Sequence, residues 1–258
     1  MKNKCLCIIQ ARMGSTRLPG KVLKKVRGMA LLEYQLKRVK LAKQIDKIVV
    51  ATTTNPQDEQ IVKLCRKLSV SSFRGPEDDV LARYYLCAQK YPAYQTIMRL
   101  TADCPLIDPY VIDDVVSFFE KHNYDYATNI SLGIPEQETF PDGMDVEVFK
   151  RATLNQAHKV AKLNSQREHV TWYVRNSKKF QRGLFTAKHN FAHFRLTVDN
   201  PEDFEVVKFV IERVKITDDY LTIIALLTKN PRIMLLNAHI IKDEGLLKSL
   251  KHDFIVKK

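Results

Sequence analysis

The chain has 258 residues, 45% of them apolar, which is enough to bury one substantial core and excludes a miniature fold that depends on disulfide or metal staples. Its formal net charge of +13 suits polyanionic partners, but Lys and Arg are scattered, with no arginine-rich tract and no zinc-finger spacing, so the charge fits a triphosphate-handling enzyme as well as a nucleic-acid binder. The five cysteines lie mostly in apolar stretches without a C-x-x-C pair, as expected of reduced thiols in a cytosolic protein, and the apolar run Cys5 to Ile9 is too short for an export signal or a membrane span.

In chain order, the first half alternates short β-branched runs with helical periodicity, which predicts a largely parallel sheet covered by helices on both faces. Strands are predicted at Cys5–Gln10, Asp46–Thr52 and Gln95–Thr101. Leu32, Leu36 and Val39 recur at helical spacing, as do Ile61, Cys65 and Leu68, and then Ile112, Val115, Val116 and Phe119; these predict core-facing helix stripes. Helix starts are marked by Pro76 ahead of Glu77, Asp78 and Asp79, by Asp108-Pro109, and by Asn200-Pro201-Glu202-Asp203. Helix N-termini opening toward one edge of the sheet predict a ligand site there. From about 131 to 190 the chain becomes more polar and irregular, with a helical stretch from Arg151 to Lys162. The whole region from about 131 to 190 reads as a smaller inserted lid or dimerisation element within a single domain, 1–258. The sheet is expected to resume at Phe194–Val198, and helices carrying Val206, Val210 and Val214, then Leu221, Ile224 and Leu227, are expected to close the domain.

Directly after the first strand comes Gln10-Ala-Arg-Met-Gly-Ser-Thr-Arg-Leu-Pro-Gly-Lys21, with two glycines, two hydroxyls and three cations. Gly14 would let backbone N–H groups approach a phosphate, Arg12 and Arg17 offer forked donors, and Lys21 offers a point charge. The segment matches neither Walker A nor G-x-G-x-x-G, which counts against P-loop hydrolysis and dinucleotide binding. A solvated basic loop with turn glycines would use the same residues. Asp103 and Asp199 each follow a predicted strand and precede a proline-containing turn. They could share one Mg²⁺, a hard cation that prefers oxygen ligands, or serve as turn and cap formers. Alternation through Phe140-Pro-Asp-Gly-Met-Asp145-Val-Glu147 puts Asp145 and Glu147 on one face, where they could bind sugar hydroxyls or face solvent. In Glu168-His169 the imidazole could touch substrate or play a structural part.

The loop, with Phe73-Arg-Gly-Pro-Glu-Asp-Asp-Val-Leu-Ala-Arg-Tyr84, Arg99-Leu-Thr-Ala-Asp-Cys-Pro-Leu-Ile-Asp108, Phe140 to Glu147, Arg167-Glu-His-Val170 and Arg195-Leu-Thr-Val-Asp-Asn-Pro-Glu-Asp203, resembles the cytidylyltransferases of acidic sugars in order and over most of the chain. These are the acylneuraminate and Kdo enzymes, and the likeness is strongest to the spore-coat polysaccharide SpsF-type branch. The resemblance implies an α/β fold of the nucleotide-diphospho-sugar transferase (GT-A) type, with a mixed, mostly parallel sheet sandwiched by helices. It implies transfer of CMP from CTP to a sugar hydroxyl with release of pyrophosphate, supplying an activated sugar for surface polysaccharide or glycan synthesis. It further implies Mg²⁺ as cofactor and a cytoplasmic homodimer without membrane or nucleic-acid partners.

Residue by residue, the resemblance implies metal ligation by Asp103 and Asp199. It implies nucleotide contacts from Gln10, Ala11, Arg12, Gly14, Ser15, Arg17 and Lys21, from Ala51 and Thr52 beside the base, and from Arg74 and Arg83. Arg12, Lys21 and Asp103 are the expected catalytic residues; Asp145, Glu147 and His169 are the expected sugar contacts. The acceptor-binding motifs of the sialic-acid and Kdo enzymes are not recognisable in the middle of this chain or in its tail, which leaves the sugar open. A glycosyltransferase of the same fold would carry an Asp-x-Asp motif, and Thr101-Ala-Asp103 lacks the first of its acids. A non-catalytic basic protein would bind oligonucleotides in a salt-dependent way and show no turnover.

Overall fold

The computed structural model describes residues 3–132 and 134–256. Strand β1 (Cys5–Gln10) leads through a loop and a short hairpin, β2 (Lys25–Val26) and β3 (Met29–Ala30), into helix α1 (Leu31–Val39). The alternation continues with β4 (Lys47–Thr53), α2 (Glu59–Lys67), β5 (Ser71–Gly75), α3 (Val80–Gln89), β6 (Thr96–Thr101) and α4 (Pro109–His122). The second half supplies β7 (Tyr126–Thr128), β8 (Glu147–Lys150), α5 (Arg151–Val160), α6 (Asn164–Glu168), α7 (Trp172–Asn176) and β9 (Arg182–Leu184). Helices α8 (Pro201–Ile211), α9 (Tyr220–Thr228), α10 (Pro231–Met234) and α11 (Glu244–Lys251) complete it.

The main sheet has seven strands in the order β5-β4-β1-β6-β8-β7-β9. β1 pairs in parallel with β4 and β6, β4 with β5, and β7 with β9; β8 runs antiparallel to both of its neighbours. The sheet is therefore mixed and mostly parallel, as predicted. The chain builds outward from β1 to β5 and then returns to β6 on the other flank of β1. A crevice opens at the carboxyl ends of β1 and β6, the switch point where ligands bind in such sheets.

β1 is covered on both sides, which is why it reads as an unbroken apolar run. Cys5, Cys7 and Ile9 pack with Leu32, Leu36, Ile112, Val115, Val206 and Ile224 on one face. Leu6 and Ile8 pack with Leu81, Tyr84, Leu154 and Ala157 on the other. All five cysteines are buried and none forms a disulfide. Among the described residues no helix is long and apolar enough to cross a membrane.

Two of the predicted helix starts hold. Asp108 caps α4, accepting from the Tyr110 N–H at 2.7 Å, and Asn200 and Asp203 form a capping box around Pro201. At Pro76 the helix begins later than predicted, at Val80, because Asp79 is the cap and accepts from the Ala82 N–H at 2.8 Å. The predicted strand Phe194–Val198 is an extended segment with a single bridge, Arg195 to Asp142. Its hydrogen bonds go to irregular chain: Leu196 N–H donates to Asp142 at 2.7 Å and Val198 N–H to Asp103 at 2.8 Å. Gly143, at φ 98°, permits this approach, since a Cβ there would lie 2.6 Å from the Thr197 nitrogen. The 131–190 region contributes β8 and β9 to the main sheet.

Candidate active site

The loop after β1 is a closed turn. Ala11 N–H donates to Ala51 O at 3.1 Å, and Gly20 N–H closes back on Met13 O at 3.1 Å, with Gly20 itself at φ 66°. Leu18 and Val22 are buried and pin the loop to the core, leaving its cations to project. Underneath lies Asp58, which is 1% exposed and accepts from Met13 N–H at 2.7 Å and from the Thr52 hydroxyl at 3.0 Å. Sequence reasoning missed Asp58; the signal was an acid two residues past Pro56, in the short helical turn that follows β4.

At the crevice the loop meets the two aspartates. Lys21 Nζ lies 3.1 Å from Asp103 Oδ2, 2.8 Å from Asp199 Oδ1 and 2.7 Å from Val198 O. Arg17 reaches Asp199 at 3.1 Å, and Arg12, half exposed, stands 3.9 Å from Glu77. Burial opposes the charge on Lys21, but the two carboxylates outweigh it and hold its ammonium above the ordinary lysine value. Burial likewise pushes the Asp103 carboxyl up, yet Lys21 and the Thr101 hydroxyl bring it down to about 2. Asp103 is therefore ionised in the folded protein at neutral pH.

Asp199 is held from behind by Arg195, a residue the sequence reading quoted in a motif without giving it a role. Its guanidinium binds Asp203 at 2.8 Å, Asp142 at 2.6 Å and Asp199 at 3.2 Å. The available signal was two acids, Asp199 and Asp203, flanking a helix start just after Arg195.

A cavity of about 760 Å³ opens over this cluster. From the loop, Gln10, Ala11, Arg12, Ser15, Arg17 and Lys21 line it; Arg83, Asp103, Asp145, His169 and Asp199 line it from elsewhere. The other expected site residues lie outside that lining. Gly14 turns its vacant side toward Gln57 and Glu77. Ala51 and Thr52 are buried within β4, the latter engaged by Asp58. Arg74 fastens the chain after β4, donating to Thr53 O at 3.0 Å and Asn55 O at 2.8 Å and pairing with Glu59. Glu147 is 1% exposed and bound by Arg99, by Tyr126 at 2.6 Å and by Thr171. It sits in β8 opposite Arg99 of β6, a step deeper than Asp145, so Arg99 reaches the cavity and Glu147 does not.

On the far side, burial pushes Asp145 up to about 8 against the opposing pull of Lys242, and burial pushes the His169 imidazole below its usual value. His169 Nε2 lies 3.0 Å from Ser249 Oγ. Among the described residues no group of three or more His, Cys, Asp or Glu could hold a metal ion. The Asp103 and Asp199 pair nonetheless converges on a cation, that of Lys21, with three oxygens around it. Two carboxylates suit an ion such as Mg²⁺ that keeps phosphate and water ligands of its own.

Residues 6–233 match the sequence model of a family described as cytidylyltransferase. The chain is 34% identical over 241 residues to the spore coat polysaccharide biosynthesis protein SpsF of Bacillus subtilis, covering 89% of this chain and 96% of that one. It is 28% identical over 147 residues to an 8-amino-3,8-dideoxy-manno-octulosonate cytidylyltransferase of Shewanella frigidimarina, covering 56% of this chain and 60% of that one. A solved cytidylyltransferase structure from Leptospira borgpetersenii superposes with a TM-score of 0.84 at 34% identity, over 90% of this chain and 97% of that one.

Proposed function

Since the chain belongs to the cytidylyltransferase family and is a nucleotidyltransferase, we propose that it transfers CMP from CTP to a hydroxyl of a sugar, releasing pyrophosphate. The observation that carries this reading is Lys21 Nζ between Asp103 and Asp199, in the cavity that Arg12 and Arg17 also line. Cations suited to phosphates and a pair of carboxylates thus share one place, which phosphoryl-type displacement needs more than it needs a nucleophilic side chain.

Arg12 and Arg17 bind the β- and γ-phosphates, and Lys21 moves from the carboxylates to the α-phosphate, where it offsets charge as the bond to pyrophosphate breaks. Asp103 and Asp199 would hold Mg²⁺ together with phosphate oxygens, and that ion would polarise the α-phosphate and neutralise its charge. The acceptor hydroxyl forms the new O–P bond as the bond to pyrophosphate breaks, and its proton passes to the neutral imidazole of His169, on the side that His169 and Asp145 line. Arg83 Nε and Gln10 Oε1 are buried without a hydrogen-bond partner among the described residues, in side chains that line the cavity, a donor and an acceptor suited to a base.

The names of the Bacillus and Shewanella relatives support a sugar acceptor and a role in surface polysaccharide synthesis. A cytoplasmic homodimer using the 131–190 region belongs to the same proposal and is checked by light scattering. The test of the activity is a pyrophosphate-release screen of the four ribonucleoside triphosphates against keto-acid and ordinary sugars, with Mg²⁺. Release is expected with CTP and one acceptor class. Tight CTP binding with no release from any pair would sink the transferase reading.

A further inference from the structure

Residues beyond the family match form a strap across the mouth of the cavity. Lys242 anchors its start on Glu138, and α11 follows from Glu244. Ser249 donates to Glu168 at 2.7 Å and lies 3.0 Å from His169 Nε2. Past the helix, Asp253 accepts from the Ser165 N–H at 2.9 Å and its hydroxyl at 2.6 Å, and Asn164 N–H donates to Phe254 O at 2.8 Å. At its leading edge Glu244 Oε2 lies 2.6 Å from Arg17 Nη1, while the other arm of that guanidinium is on Asp199. The strap is held by polar contacts: within α11 only Ser249 is buried, and Leu247 and Leu250 are exposed. Segments with few buried apolar contacts open at low cost.

We propose that Glu244 is a positioning residue of the nucleotide site: a resident carboxylate that keeps Arg17 extended over the cavity and is displaced by the incoming triphosphate, releasing the leading end of the strap. The proposal rests on the reading of Arg17 as a triphosphate ligand. Both anions seek the same fork of donors, and a guanidinium facing two carboxylates has no arm left for a phosphate. Glu244 therefore competes with nucleotide, and the strap loosens when it loses. The contact is half exposed, so the competition is modest.

The experiment uses the full chain with CTP and Mg²⁺ and no acceptor. Glu244→Gln should tighten the CTP dissociation constant by about two- to five-fold, the range expected of an exposed pair. With the acceptor class that the release screen identifies added, the KM for CTP should fall alike, with kcat for pyrophosphate release unchanged. Hydrogen exchange of amides 242–251 should quicken on adding CTP to the parent, and should already be fast in Glu244→Gln without it. A merely structural role would move melting temperature and kcat without this split. Unchanged or weaker CTP binding in Glu244→Gln, or strap amides slowed by CTP, overturns the proposal. Failure of the parent to bind CTP at all overturns the nucleotide reading itself, and the proposal with it.

Discussion

Replacing Arg195 with methionine removes the one guanidinium that Asp142, Asp199 and Asp203 share. Asp203 is wholly buried and the Asp142 side chain is 11% exposed, so neither carboxylate has water to turn to. Breaking a buried pair from one side costs about 3–5 kcal/mol, and because a single cation serves all three partners their losses do not simply add. For a chain of this size each kcal/mol lowers the melting temperature by about 2–4 °C, so a fall of roughly 6–20 °C is expected at pH 7. The sign of the pH dependence follows from the same groups. Burial already holds Asp142 up to about 6, while Arg195 helps hold Asp203 below its ordinary value against burial. Without the guanidinium both carboxyls rise above their unfolded values, and their destabilising effect grows as pH rises through the unfolded range. Thermal unfolding followed by circular dichroism at pH 7 and pH 5 should show a smaller deficit at pH 5. A deficit under about 3 °C at pH 7, or one that widens on acidification, would refute the reasoning.

Asp103→Asn keeps the shape of a side chain held to about 2, hence ionised through the neutral range, and pyrophosphate release should fall at least about 100-fold with the circular dichroism spectrum unchanged. Activity above a tenth of the parent's would remove Asp103 from the chemistry. Glu147→Gln leaves Arg99 buried without its counter-charge and should cost about 3 kcal/mol in urea unfolding while leaving the acceptor KM alone. A raised KM with unaltered stability would make Glu147 a substrate contact after all. Asp145, pushed by burial from its ordinary 3.8 to about 8, keeps its proton in the folded chain after the unfolded chain has lost it, so the parent loses stability as pH rises across that window. Asp145→Asn should have the higher urea midpoint at pH 8.5, by a margin that shrinks toward pH 5; equal margins at both values would count against it.

Much of the frame was legible because local chemistry and global packing agree there. β1 falls on the predicted residues since both faces are covered, and Asp108 caps α4 because its carboxylate accepts from the free N–H groups of the first turn. Lys21, Asp103 and Asp199 were readable as types, and topology brings them together. Phe194–Val198 misled because an apolar alternating run need not find a strand beside it; here it finds Asp142 and Gly143. Alternation placed Asp145 and Glu147 on one face without telling how deep each lies, which the pairing of β8 with Arg99 decides. Asp58 through Met13, Arg195 through Asp142, and the strap act through contacts far apart in sequence, and periodicity is blind to these.

The placement of Lys21 also bears on how the protein endures between turnovers. Facing carboxylates in a cleft ordinarily repel, and many sites of that kind leave a domain dependent on a bound ion for its fold. Here an ammonium tethered to the loop serves as a built-in counter-ion. Chelators should leave the melting temperature where it was, and a divalent ion arriving by itself must evict a charge that cannot diffuse away. On the proposed reading, an ion already carried by a triphosphate would meet no such barrier, since the phosphate would give the lysine somewhere to go. If the cleft takes a nucleotide and a cation as proposed, the reach of one side chain would favour their entry as a single unit.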